Sequence, residues 1–142
     1  MLLVAVFDTN VLFSAIGWRG APYQCVELAR SGQVTGLTCR EILDELAVIL
    51  ARKLRFSDEQ VADSLTDLLP ALGVVEITEN LRAVAADPAD DKVIECAVAG
   101  QATHIVTGDR RHLLPMITYA GIEIVRPAEF MMRVSTPGPT AP

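Results

Sequence analysis

Short apolar runs that each stop on an acid constrain this chain more than any other feature. Leu2 to Phe7 is continuous hydrophobic sequence ending on Asp8-Thr9-Asn10, and Thr103-His104-Ile105-Val106 is another short strand-like run, ending on Thr107-Gly108-Asp109. A strand that is apolar throughout is buried on both faces, which means a parallel sheet covered by helices. An acid directly after such a strand falls at the carboxyl edge of the sheet, where open α/β folds bind ligands. Two strand ends therefore deliver Asp8 and Asp109 to one edge.

The intervening segments have helical size. Val11 to Ile16 reads as a short helix broken around Gly17-Trp18-Arg19-Gly20, and Ala21 to Ser31 resumes with Pro22 in its first turn. Gly32 to Leu37 holds a second strand, and Thr38 is the expected N-cap of a helix from about Arg40 to Ala51. Ser57 caps a further helix running to Leu69, with Asp58 and Glu59 suited to its positive end. Val74 to Ile77 is a third strand. The turn-like Asp87-Pro88-Ala89-Asp90-Asp91 leads into a helix ending near Gly100, and a short helix follows Asp109. Ile122 to Val125 is a fifth strand, and Pro127 starts a final helical turn. Strands alternating with helices imply right-handed crossovers. The expected class is α/β: one three-layer α/β/α domain over residues 1–133 around a central parallel five-stranded sheet. Residues 134–142, rich in Thr, Pro and Ala without periodicity, read as a disordered tail.

Composition agrees with that frame. Of 142 residues, 51% are apolar and only 5% aromatic, the small-aliphatic bias of helices packed on a sheet. Cys25, Cys39 and Cys96 are widely spaced and include no C-x-x-C, so buried free thiols are expected rather than a disulfide framework or a zinc-thiolate site. The first apolar stretch lacks a basic flank and falls well short of the ~20 residues of a membrane span, which points to the cytoplasm. The net charge of −6 argues against a general nucleic-acid coating protein. It leaves room for a nuclease whose carboxylates are neutralised by cations, with Arg52, Lys53, Arg55, Arg110 and Arg111 available to phosphate.

Helical geometry sorts the remaining acids. At about 100° per residue, Glu45 borders the stripe of Ile42, Leu46, Ile49 and Leu50, whereas Glu41 and Asp44 point away from it. From Asp90 the same-face positions are Val93, Ile94 and Ala97, all apolar; from Asp91 they are Ile94, Glu95 and Val98. Asp90 is thus the more inward of the two and costly without a cation or a capped partner. Asp8, Glu45, Asp90 and Asp109 form an oxygen-rich set with no clustered His or Cys, which suits Mg²⁺ or Mn²⁺. Bound metal would favour the ionised carboxylates and supply phosphoryl-transfer chemistry.

Each residue also has a plainer reading. Asp8, Asp90 and Asp91 are all competent helix caps, Glu45 alone is an amphipathic-border residue, and Asn10 and Thr107 settle turns. His104 in an apolar strand and His112 in a polar segment do not pair as acid and base. The joint arrangement carries the inference.

Taken together, Asp8-Thr9-Asn10, Glu45 in its helix, Asp90-Asp91-Lys92-Val93-Ile94 with Ala97, and Ile105-Val106-Thr107-Gly108-Asp109 resemble the PIN-domain ribonucleases, most of all the toxin components of bacterial toxin-antitoxin pairs. The resemblance implies a metal-dependent endoribonuclease cutting single-stranded RNA. It implies that Asp8, Glu45, Asp90 and Asp109 hold Mg²⁺ or Mn²⁺, supported by Asn10 and Thr107. The 19-residue step from Asp90 to Asp109 suits the family pattern, with Asp91 second choice. It further implies a homodimer and a small antitoxin partner. Two rivals stand beside it. A catalytically idle PIN-like module would bind RNA or protein without cleavage. A haloacid-dehalogenase-like phosphatase would need an acid where Asn10 stands and a well-placed Lys, for which Lys92 is the nearby candidate.

Overall fold

The structure, a computed structural model, describes residues 2–78 and 88–135. The elements run β1 (Val4–Phe7), α1 (Thr9–Gly17), α2 (Ala21–Arg30), β2 (Thr35–Cys39), α3 (Arg40–Lys53), α4 (Asp58–Leu68), β3 (Leu72–Val75), α5 (Pro88–Ala99), β4 (His104–Val106), β5 (Thr118–Tyr119), β6 (Ile122–Val125) and α6 (Pro127–Ser135). The strand order is β3-β2-β1-β4-β6-β5. β1 pairs in parallel with β2 on one side and β4 on the other, and β3 and β6 extend the sheet in parallel beyond them.

The α/β class stands, with one correction. Among the described residues the sheet has six strands, not five, because β5 folds back antiparallel on β6. Ala120 and Gly121 connect the two strands with φ values of 50° and 82°. Two consecutive positive φ angles make the tight turn whose twist matches a hairpin. A strand of two residues has no apolar run to announce it.

Local signals moved some boundaries. The third strand begins at Leu72 rather than Val74 because the short 3-10 turn Leu69–Ala71 delivers the chain early. Thr38 stays in β2, and Cys39 is the N-cap of α3, without a side-chain hydrogen bond to the helix. The buried Thr38 hydroxyl has no hydrogen-bond partner among the described residues. Ser57 caps α4 as expected: its Oγ accepts from Gln60 N at 3.2 Å, while Gln60 Oε1 accepts from Ser57 N at 2.9 Å. Pro88 already begins α5, and Asp87 of the expected turn lies outside the described residues. Val134 and Ser135 finish α6, and the rest of the expected tail, residues 136–142, also lies outside them.

The core explains why these pieces assemble. Ala5, Val6 and Phe7 of β1 are wholly buried, as a central strand covered on both faces must be. Ile42, Leu46 and Leu50 form the buried stripe of α3, and each such side chain contributes about 1.5–3 kcal/mol by leaving water. Phe7 meets Phe130 of α6 edge-on with ring centroids 6.2 Å apart, so the last helix closes the core. At Gly36 in β2 a Cβ would stand 2.8 Å from Ala71 O and 2.9 Å from Ala29 Cβ, so the sheet and α2 approach too closely for any side chain. All three cysteines are buried and free. No helix among the described residues is long and apolar enough to cross a membrane.

This topology places the site. From β1 the chain moves to β2 on one side, while β4 lies on the other. Such a reversal of strand order opens a crevice at the carboxyl ends of the two strands. Asp8 and Asp109 follow those two ends.

Candidate metal centre

Asp8 N donates to Val106 O at 2.9 Å, which holds the chain against β4 one residue past the end of β1. The side chain is 6% exposed. Its Oδ1 accepts from Thr9 N at 2.7 Å, so Asp8 is the N-cap of α1. Its Oδ2 accepts from Thr107 Oγ1, also at 2.7 Å. The same hydroxyl accepts from Asp109 N at 3.0 Å. One threonine thus ties together the acids that follow two neighbouring strands.

Beyond β4 the backbone wraps around the Asp109 carboxylate. Arg111 N and His112 N donate to Oδ1 at 3.0 and 3.3 Å, and Leu113 N donates to Oδ2 at 3.2 Å. Burial pushes this carboxyl up, but the N–H groups of Arg111, His112 and Leu113, with the His112 ring nearby, outweigh it and hold the group below the usual carboxylate range. The wrap turns His112 back over the strand end. Its Nδ1 lies 3.1 Å from Asp90 Oδ2 and 3.8 Å from Asp109 Oδ2. Asp90, Asp109 and His112 each offer a ligand atom within 4.8 Å of the others.

His112 is the residue that sequence reasoning missed, since the acid set was read as having no clustered histidine. A signal existed in its position three residues after Asp109. In a loop, however, no periodicity says where a ring points. Asp8 and Glu45 stand outside the three-residue cluster. Glu45 is exposed on α3 and Asn10 exposed on α1, while Asp91 is half-buried beside Asp90 in the first turn of α5.

A buried acid also escaped sequence reading. Glu95 is 2% exposed in α5, and its Oε1 lies 3.0 Å from Lys92 Nζ. The hydrogen bond to Glu95 raises the Lys92 pKa against a smaller opposing effect of burial, and Glu95, Glu41 and Asp91 add to the rise through their charges. Lys92 therefore sits in the field of acids from both α3 and α5. Arg110 and Arg111, beside Asp109, are exposed.

The donor set fits a divalent cation. Two carboxylates and one imidazole within ligand spacing of one another, beside a third, buried carboxylate, make an acidic cluster whose charge a cation would neutralise.

The family profile described as PIN domain matches residues 4–111, which spans every acid named above. Among solved structures, the chain resembles VapBC2 from Rickettsia felis, bound to a DNA fragment from their promoter, with 18% identity and a TM-score of 0.64, covering 86% of this chain and 97% of that one. It also resembles PAE2754 from Pyrobaculum aerophilum, with 16% identity and a TM-score of 0.65, covering 94% of this chain and 90% of that one. At these identities the likeness is one of fold. No curated protein matches the chain.

Proposed function

The chain belongs to the PIN domain family, and on that premise we propose that it is a divalent-metal-dependent endoribonuclease that hydrolyses phosphodiester bonds of single-stranded RNA. The observation that carries this reading is the meeting of Asp90, Asp109 and His112 beside the buried Asp8 at the crevice between β1 and β4. Asp8, Glu45, Asp90 and Asp109 would hold Mg²⁺ or Mn²⁺, with Asn10, Thr107 and Asp91 supporting them. A divalent ion bound there would polarise a phosphoryl oxygen and lower the pKa of an attacking water.

The chain's own groups prepare that chemistry. Thr107 fixes the Asp8 carboxylate, and three backbone N–H groups keep Asp109 ionised and in place. Arg110 and Arg111 are exposed next to Asp109, where they would take backbone phosphates of a single strand. The fold likeness to VapBC2, solved on promoter DNA, favours a toxin restrained by a small antitoxin protein. Within this reading the protein is a cytoplasmic homodimer with a single folded domain and a C-terminal tail.

The test is cleavage of mixed single-stranded RNAs by purified protein with Mg²⁺, Mn²⁺ or chelator, beside Asp8→Asn and Asp90→Asn. Metal-dependent cutting lost in both variants is expected. Equal cutting in every sample would mark a contaminant and remove the support.

One observation favours a second reading. The hydrogen bonds of Asp8 and Asp109 are also those of structural caps, as in an idle binding module, which would bind RNA or protein without metal-dependent cleavage. Family membership displaces the phosphatase, and Lys92, the lysine it would need, is engaged with Glu95.

A further inference from the structure

We propose that His112 is a nitrogen ligand of the cation at this edge, shifting the site's preference away from Mg²⁺ toward Mn²⁺ and other first-row divalent ions; the proposal rests on reading the acid cluster as a metal site. Around an octahedral ion with ligands at about 2.1 Å, two neighbouring ligand atoms stand about 3 Å apart and two opposite ones about 4 Å. His112 Nδ1 stands 3.1 Å from Asp90 Oδ2 and 3.8 Å from Asp109 Oδ2, and all three residues offer atoms within 4.8 Å of one another. The two distances from Nδ1 are of the size that sharing a single ion requires.

The backbone aims the ring. Because the N–H groups of residues 111, 112 and 113 all turn in to the Asp109 carboxylate, the side chain three residues after that acid is carried back over it. The His112 side chain is 31% exposed and the two carboxylates 14% and 16%, so the cluster opens to solvent on one side. A substrate oxygen or water can complete the coordination there. Imidazole nitrogen is a poor ligand for Mg²⁺, which demands hard oxygen, and a good one for the transition ions.

The plainer role for His112 is to orient Asp90 by a hydrogen bond while an all-oxygen shell holds the ion. Pulsed electron paramagnetic resonance on the Mn²⁺-loaded full chain separates the two. The chain has only two histidines, and the other, His104, is buried at the start of β4. An imidazole nitrogen coupling to Mn²⁺ is expected in the wild type, changed by ¹⁵N-histidine labelling and absent in His112→Gln. The ratio of Mn²⁺ to Mg²⁺ affinity should fall about tenfold or more in that variant. Bound Mn²⁺ that depends on Asp90 but shows no nitrogen coupling overturns the proposal and leaves the metal site standing. Absence of Mn²⁺ binding overturns both. The isotope comparison needs no variant, so it decides the matter even if His112→Gln fails to fold.

Discussion

Thr107 Oγ1 donates to Asp8 Oδ2 across 2.7 Å, joining the end of β4 to the end of β1 inside the crevice between them. The threonine is fully buried, and its hydroxyl also receives the Asp109 N–H. Thr107→Val keeps the shape and deletes the hydroxyl. RNA cleavage should fall about 10- to 100-fold, as for other groups that orient ligands, and stability should drop by about 1–3 kcal/mol from the unpaired buried groups. Thr107→Ser should restore most of both. Unchanged cleavage rates in the valine variant would separate Thr107 from the site.

Arg110 and Arg111 are assigned to phosphate. Replacing either by Ala should weaken single-stranded RNA binding evenly across sequences. It should also lower the slope of log affinity against log salt by about 0.7 per lost phosphate contact. Salt-titrated fluorescence anisotropy with a catalytically silenced Asp90→Asn background measures this. An unaltered slope would show that neither arginine meets the backbone.

His104 gives the fold a pH dependence of known sign. Burial lowers its pKa, opposed by Glu123 of β6, whose Oε2 lies 3.1 Å from Nε2, while Arg133 of α6 lowers it further. The folded state thus disfavours the charged ring. Below the ordinary histidine value of about 6.5 the unfolded chain binds a proton that the folded chain resists. The stabilisation is complete above that value and is lost as pH falls from it toward the folded pKa. Melting temperatures should therefore decline between pH 7.5 and 5.5, and His104→Asn should flatten the decline. An identical pH profile in the two proteins would contradict the assignment.

Gly36 tests the packing of β2 against α2. Gly36→Ala drives a methyl into Ala71 O and Ala29 Cβ and should cost about 1–3 kcal/mol in chemical denaturation. A neutral result would mean that the sheet and helix separate easily.

Much of this arrangement was legible because burial writes itself into composition. β1 and β4 are buried central strands, so their runs end where the sheet ends, and the acids after them share an edge. Ser57 announced α4 as an N-cap, a signal that depends only on neighbours in sequence, and the structure adds the reciprocal bond from Gln60. Features that depend on distant neighbours left weaker traces. β5 exists through a two-residue turn and one partner strand, and Thr38 lost the cap of α3 to Cys39 because the strand runs on through it. Glu95 reads as a polar position on α5 until Lys92 is seen folded over it. His112 required knowing that three N–H groups turn in to Asp109, a loop geometry that no residue pattern encodes.

These carboxylates are assigned to a divalent cation. Calorimetric titration of Mn²⁺ into wild type, Asp8→Asn and Asp109→Asn, each shown to be folded by circular dichroism, tests it most directly. Saturable binding to the wild type, severely weakened in both variants, is expected. Equal binding by all three proteins, or none by the wild type, would contradict it.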